Sequence, residues 1–281
     1  MGMTMANAVS SRIVEFIFGR EKRRRVTVAN AEVPDGVRVY AVGDIHGRVD
    51  LLDRLHTIIL EDAADSRSGV ENIVVYLGDY LDRGLYSKEL IDFFLDEPLA
   101  GFEAIYLRGN HDQYFLDFLV DPDKGASWLR FGGDATVYSY GVRIPDKVAP
   151  EMRMVYIRDR LLEVVPRRHL AFLGDLEMAR MIGDYLFVHA GINPDRPLSK
   201  QTPEDLLWIR EAFLESDRDF GKVVVHGHSV TSVPEVRNNR IGIDTGACYS
   251  NNLTCLVLEG TGKRFLSTAQ AEPRTGRVAS L

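Results

Sequence analysis

Five short stretches of this 281-residue chain carry side chains that bind metal ions or move protons. They read Gly43-Asp44-Ile45-His46-Gly47, Gly78-Asp79-Tyr80-Leu81-Asp82-Arg83-Gly84, Arg108-Gly109-Asn110-His111-Asp112, Phe187-Val188-His189-Ala190-Gly191 and Val225-His226-Gly227-His228. Neutral imidazole, carboxylate and amide oxygen suit borderline or hard divalent ions, such as Mn²⁺, Fe²⁺ or Zn²⁺, better than thiolate-seeking ones. Six such ligands are enough for two ions. A bridging carboxylate can hold such a pair roughly 3.5 to 4 Å apart, a spacing that clamps the attacking and leaving oxygens of a phosphoryl group. Each ion also lowers the pKa of a shared water, which makes hydroxide available near neutral pH. Glycines beside the ligands permit tight turns and close backbone approach.

Such ligands converge only if the elements before them are parallel and in register. Apolar, β-branched runs at 37–42, 73–77, 104–107, 186–188, 223–225, 241–243 and 253–258 predict strands. Between the first two, Leu51, Leu52, Leu55, Ile58 and Ile59 recur at helical spacing and make one face of an amphipathic helix. Further helices are expected around 90–95 and from about Gln113. The alternation indicates βαβ units in an α/β fold with a largely parallel sheet. In open α/β sheets the carboxyl ends of the strands line one crevice, so Asp44, His46, Asp79, Asn110 and His111 are expected to meet there. Asp121-Pro122-Asp123, Gly132-Gly133, Pro145 and Pro150 interrupt the rhythm and point to a small helical insertion near 121–180. The expected organisation is a flexible N-terminal arm (1–36), one catalytic domain (37–265) and a polar, mobile tail (266–281).

Composition removes other classes. The net charge of −7, with 34 Lys+Arg against 41 Asp+Glu, argues against gripping nucleic acid through bulk charge. Two cysteines, Cys248 and Cys255, cannot build a disulfide framework or a thiolate zinc site, and a reducing cytoplasm fits best. No run of about 18 apolar residues exists to span a membrane. Ile13, Val14, Phe16, Ile17 and Phe18 precede Arg20, Lys22, Arg23, Arg24 and Arg25, the reverse of a secretory signal's order, and weak contact with a membrane surface is the lesser alternative.

The ordered series Gly-Asp-Ile-His-Gly, Gly-Asp-Tyr-Leu-Asp-Arg-Gly, Gly-Asn-His, His-Ala-Gly and Gly-His resembles the phosphoprotein phosphatase branch of the calcineurin-like metallophosphoesterases over about residues 37–260. Trp208-Ile209-Arg210 and Ile243-Asp244-Thr245-Gly246-Ala247 make the likeness strongest to the short bacterial and phage lambda-type serine/threonine phosphatases. The resemblance implies a central β-sandwich of mixed sheets flanked by helices. It implies two divalent ions, Mn²⁺ first and Fe or Zn as alternatives. Asp44 and His46 would hold one, Asp79 would bridge, and Asn110, His189 and His228 would complete the other, with His226 the second choice to His228. By the same resemblance, His111 is the general acid, oriented and kept protonated by Asp82. Arg83 and Arg210, with Asn110, would bind phosphoryl oxygens, since guanidinium forks match phosphate. The implied reaction is in-line attack of a metal-bridging hydroxide on a phosphorylated protein side chain, serine or threonine, with tyrosine the alternative. On that scale the net charge is a poor guide: two divalent ions outweigh Asp44 and Asp79 where phosphate must sit.

Plainer readings hold for other residues. Asp50 and Asp112 read as helix caps or turn residues. His56 lies in an amphipathic helix and His169 in a basic stretch, and both read as structural or exposed. Trp208 can be a core aromatic with Arg210 merely ending a helix, and most arginines are solvated or paired at the surface, which weighs against Arg83 as well. Cys248 and Tyr249 border the cleft without a catalytic role. The nearest rival activity is symmetrical dinucleoside polyphosphate hydrolysis, as of diadenosine tetraphosphate. The intact Asp82-Arg83-Gly84 favours the protein phosphatase, because the rival group commonly replaces that Asp. A catalytically dead metal-binding module would have lost ligands or the acid, and none is missing.

Overall fold

The structure is a computed structural model and describes residues 24–64 and 69–269. Its strands are β1 (Val37–Val42), β2 (Glu71–Tyr76), β3 (Phe102–Tyr106), β4 (Ala179–Ile182), β5 (Tyr185–Val188), β6 (Val223–His226), β7 (Glu235–Val236), β8 (Arg240–Gly242), β9 (Thr254–Glu259) and β10 (Gly262–Ser267). They form two five-stranded sheets, ordered β10-β9-β1-β2-β3 and β4-β5-β6-β8-β7. Each sheet has three parallel strands, β1-β2-β3 in one and β5-β6-β8 in the other. Antiparallel strands flank both sets.

The period-two alternation of side chains assigns each strand face to a different layer. Val39 and Ala41 of β1 face Phe187 of β5, Val225 of β6 and Ile241 of β8 in the cluster between the sheets. Tyr40 and Val42, one residue out of phase, turn to the outer cluster. Leu186, Val188 and Val224 alternate likewise onto a third cluster on the far face. Burying each of the valine, leucine, isoleucine and phenylalanine side chains among these contributes about 1.5–3 kcal/mol, so a one-residue slip would expose a whole face.

Helices cover the outer faces: α1 (Val49–Ala64), α2 (Ser87–Asp96), α3 (Asn110–Val120), α4 (Gly125–Trp128), α5 (Asp134–Ser139), α6 (Arg153–Val164), α7 (Arg167–Gly174), α8 (Pro203–Trp208), α9 (Glu211–Leu214) and α10 (Ala247–Ser250). The expected face of α1 is seen, with Leu51, Leu52, Leu55 and Ile59 buried. The region expected as a helical insertion holds α4 to α7, whose Trp128, Val137, Ile157, Leu161 and Leu173 join the core over β1 and β2. His56 and His169 are both buried; His56 Nε2 lies 2.7 Å from Tyr76 Oη, and His169 lies 2.9 Å from Tyr140 Oη and 3.0 Å from Asp92. Among the described residues no helix is long and apolar enough to cross a membrane.

The sheet is less parallel than the run of strands predicts. The unexpected strands β4, β7 and β10 are short or polar edges, which lack the apolar signal of a central strand. The expected boundary at 265 falls inside β10, and the Thr268 hydroxyl accepts the Leu253 N–H at 2.9 Å. The expectation of a flexible arm over 1–36 needs correction where it can be seen. Residues 1–23 lie outside the described residues, but Val26, Val28, Ala31 and Val33 are buried in the cluster between the sheets. Backbone bonds from Val28 N to Asn238 O (2.8 Å) and from Val33 N to Gly260 O (3.1 Å) hold this segment. Its alternating apolar residues stand directly after a basic run, which masks them.

Val33→Ala is therefore expected to destabilise the chain by about 2 kcal/mol through lost burial and the cavity left behind. Urea denaturation followed by circular dichroism measures this; no shift in midpoint would mean that the segment does not close the core.

Candidate metal centre

The parallel strands β1, β2, β3, β5, β6 and β8 all end on one edge of the sandwich, and each turn there continues the ladder. Leu77 N–H donates to Val42 O (3.0 Å), Leu107 N–H to Tyr76 O (2.9 Å), Gly227 N–H to His189 O (2.8 Å) and Ile243 N–H to His226 O (2.9 Å). His46 N–H and Gly47 N–H reach across to Asp79 O and Tyr80 O, both at 2.8 Å, so the first two loops are tied directly together. Two glycines are required by close approach. A Cβ on Gly227 would stand 1.9 Å from Asp44 Oδ1, and one on Gly109 would stand 2.1 Å from both the backbone N and Oδ1 of Asp79.

Among the described residues, six non-glycine residues have positive φ, and five are His46 (+48°), Asp79 (+53°), Asp82 (+70°), Arg83 (+66°) and His228 (+61°). Each left-handed conformation costs about 1 kcal/mol or more, and such strain gathers where function requires a particular side-chain direction.

The side chains so aimed converge. His46 Nδ1–H donates to Leu81 O (2.8 Å) and His189 Nδ1–H to Leu77 O (2.9 Å), which leaves both Nε2 lone pairs facing inward. Asp79 lies between them, with Oδ2 3.4 Å from His46 Nε2 and Oδ1 3.5 Å from His189 Nε2. Asn110 Oδ1 is 2.8 Å from His189 Nε2 and 2.8 Å from His228 Nδ1. Two triads, His46-Asp79-His111 and Asp79-His189-His228, bring their ligand atoms within 4.8 Å of one another and share Asp79. All five residues are buried. Burial drives His46 down to about 3 and His228 down to about 2, and it also lowers His189. Three neutral imidazoles, a carboxylate and an amide oxygen on one point form a donor set that fits borderline divalent ions.

Asp44 stands slightly apart. Its oxygens accept the His228 N–H at 3.0 and 3.2 Å, and burial together with Asp244 and Asp79 pushes its pKa well up. Asp244, which touches Asp44, is raised to about 6 by burial. A cation would supply the counter-charge that these carboxylates lack. His226 faces away: its ring packs edge-on against Phe213 at 5.1 Å and its Nδ1 lies 3.0 Å from Gly227 O, so His228 is the one that joins the cluster with Asp79 and His189.

Beside the triads sits a buried carboxylate–imidazole pair, Asp82 and His111. Asp82 Oδ2 is 2.7 Å from His111 Nδ1 and also accepts the Trp128 indole N–H (2.9 Å), while Oδ1 accepts the Thr136 hydroxyl (2.7 Å). Burial opposes charge on His111, yet Asp79 and Asp82 outweigh it and hold the imidazole above its usual value. Arg83 extends its fork over both groups, with NH1 2.8 Å from His46 Nε2 and NH2 3.0 Å from His111 Nε2. Arg210 is exposed at the rim and reaches Ser229 Oγ at 3.4 Å. Trp208 is half-buried, edge-on to His228 at 6.4 Å, rather than a core residue. Cys248 Sγ bonds to His46 O (3.0 Å), and burial raises its thiol to about 11, so it supports the loop without being reactive.

Sequence reasoning undervalued Asp112. Its carboxylate accepts N–H groups from Asp79 (2.9 Å), Tyr80 (3.0 Å), Leu81 (3.3 Å) and Gly109 (2.9 Å), and so binds the loop after β2 to the start of α3. The signal was present, since an acidic residue three positions past Gly109 at a helix start is a capping position. Nothing local pointed to Trp128 and Thr136, which lie more than 40 residues from Asp82.

The family model for calcineurin-like phosphoesterases matches residues 37–255. The chain belongs to that family, hydrolases that work with divalent metal ions. Among individual relatives it is 27% identical over 182 residues to Shewanella-like protein phosphatase 2 of Arabidopsis thaliana, a match that covers 55% of this chain and 46% of that protein, so the chain spans just under half the length of that relative. It is 23% identical over 235 residues to the asymmetrical bis(5'-nucleosyl)-tetraphosphatase PrpE of Bacillus thuringiensis strain Al Hakam, covering 76% of this chain and 88% of that one. The crystal structure of a cold-active protein-tyrosine phosphatase from a psychrophilic Shewanella species shares the fold, with a TM-score of 0.51 at 19% identity over 84% of this chain and 83% of that one.

Asp112→Asn replaces two acceptor oxygens by one and adds a donor facing backbone N–H groups. The loop that aims Asp79 should loosen, and Mn²⁺ affinity is expected to fall about 10- to 100-fold. Calorimetric titration of metal-stripped protein measures this, and unchanged affinity would show that the four N–H bonds do not position Asp79.

Proposed function

We propose that this chain is a binuclear-metal phosphoprotein phosphatase that hydrolyses phosphomonoesters of protein side chains. Asp44 and His46 would hold one ion, Asn110, His189 and His228 the other, with Asp79 shared; Mn²⁺ is the first candidate, and Fe or Zn the alternatives. Asp79 supports this reading through its two oxygens, which face His46 and His189 respectively. Bound ions would neutralise phosphoryl charge and make hydroxide available at neutral pH.

The chain's own groups do the rest. Arg83, whose fork spans His46 and His111, would take non-bridging phosphoryl oxygens, with Asn110 contributing and Arg210 adding charge at the rim. His111 would deliver its Nε2 proton to the leaving oxygen while Asp82 holds Nδ1.

The Asp82–His111 pair is the observation that carries the substrate class. A serine or threonine alkoxide is a poor leaving group that must be protonated as its bond to phosphorus breaks, whereas a nucleotide leaves from a phosphoanhydride already stabilised. A buried carboxylate clamped by Trp128 and Thr136 and spent on keeping one imidazole charged fits the harder task. The second reading, cleavage of a dinucleoside polyphosphate, is favoured by the match to PrpE over 88% of its length.

Metal-stripped protein resupplied with Mn²⁺ is expected to release phosphate from phosphoserine and phosphothreonine peptides faster than it cleaves diadenosine tetraphosphate; the reverse order would select the second reading. Asp82→Asn should lower kcat on phosphopeptides about 100-fold or more, and cost less than about tenfold on 2,4-dinitrophenyl phosphate, whose leaving group needs no proton. Equal losses would remove His111 from the acid role. The pH profile should respond as well. Asp82 helps hold His111 above its ordinary pKa and the acid form is lost as pH rises through that value, so the variant's basic limb should move to lower pH.

A further inference from the structure

A groove of about 330 Å³ lies beside the proposed reaction centre, between the start of α2 and the end of α5. Leu85 and Tyr86 form one wall, Tyr138 and Val142 the other, with Glu89 and Arg143 at its edges. Leu85, Tyr86 and Tyr138 are 53%, 50% and 67% exposed, large apolar surfaces gathered in one place rather than scattered singly.

Both walls are fixed to the catalytic groups. Leu85 follows Arg83 by two residues, a reach of at most about 7 Å. Arg83 N–H donates to Gly132 O (3.0 Å), and Asp82 N–H to the hydroxyl of Thr136 (2.9 Å), two positions before Tyr138. Lys88 N–H donates to Ser139 Oγ (2.7 Å) and ties the start of α2 to the end of α5.

We infer that this groove receives an apolar side chain of the substrate polypeptide, two to four residues from the phosphorylated one, with an acidic side chain beside Arg143. The inference rests on the protein phosphatase reading above and deepens it to a sequence preference. The spacing follows from the reach to Arg83 and the roughly 3.3 Å rise per residue of an extended chain. The charge pattern chooses the occupant. Arg143 makes no ion pair among the described residues, whereas Glu89, whose carboxylate accepts the Ser139 hydroxyl (3.3 Å), would repel a polyphosphate lying along the groove and leaves an apolar side chain undisturbed.

The test is a set of glycine-rich phosphoserine and phosphothreonine peptides with leucine at each position two to four residues to either side of the phosphorylated residue, assayed with Mn²⁺-loaded full chain. Wild type is expected to prefer leucine on one side by about tenfold in kcat/KM, through KM. Leu85→Ser and Tyr138→Ser, both at exposed positions, should each reduce that preference at least threefold, and Arg143→Glu should invert any preference for a neighbouring Asp over Lys. No positional preference, or one that survives all three substitutions, overturns the groove assignment. Hydrolysis of p-nitrophenyl phosphate without hydrolysis of any phosphopeptide overturns the protein phosphatase reading itself, and the groove assignment with it.

Discussion

The structure turns on Asp79. A carboxylate at 1% exposure in a ring of imidazoles is tolerable only if every group around it is placed to compensate the charge or to share a cation with it. Its two oxygens face different histidines, and one also accepts the His111 N–H at 2.9 Å. Its own N–H is held by Asp112 and its carbonyl accepts from the loop after β1. Moving this one residue would disturb the first three loops together. The parallel strands deliver those loops to a common edge, and the second sheet brings His189 and His228 from the opposite side.

Local backbone energy is given up to achieve this. Five left-handed non-glycine residues in one site oppose folding individually, and they persist because the hydrogen bonds around them fix each turn. The compensation comes partly from far along the chain. Trp128 and Thr136 hold Asp82, and the carbonyl of Gly132, itself at φ +107°, holds the Arg83 backbone. The helical region between α3 and β4 therefore buttresses Asp82 and Arg83, and it also supplies the outer wall of the groove proposed to select substrate.

Much of this was legible in the sequence for a physical reason. Central parallel strands are buried on both faces, so they appear as short apolar runs, and the polar residues after them must stand at the open edge. Asp44, His46, Asp79, Asp82, Asn110, His111, His189 and His228 could be read in that way. The antiparallel edge strands could not, because β4, β7 and β10 carry too little apolar periodicity to distinguish them from loops. Contacts between distant segments were hidden for another reason: no spacing rule joins Trp128 to Asp82, or Val33 to the space between the sheets. Asp112 was visible as a cap residue but not as the anchor of four backbone N–H groups, since capping and loop anchoring require the same residue at the same place.

In the proposed centre Asp79 is shared by two ions held by otherwise separate ligand sets. Isothermal titration of the metal-stripped chain with Mn²⁺, with metal content checked by elemental analysis, decides whether it is. Wild type should bind two ions per chain, Asp79→Asn should weaken both, and His46→Asn should weaken one and leave the other. A single ion in wild type, or an Asp79→Asn variant that still binds two with unchanged affinity, would rule out the sharing of Asp79.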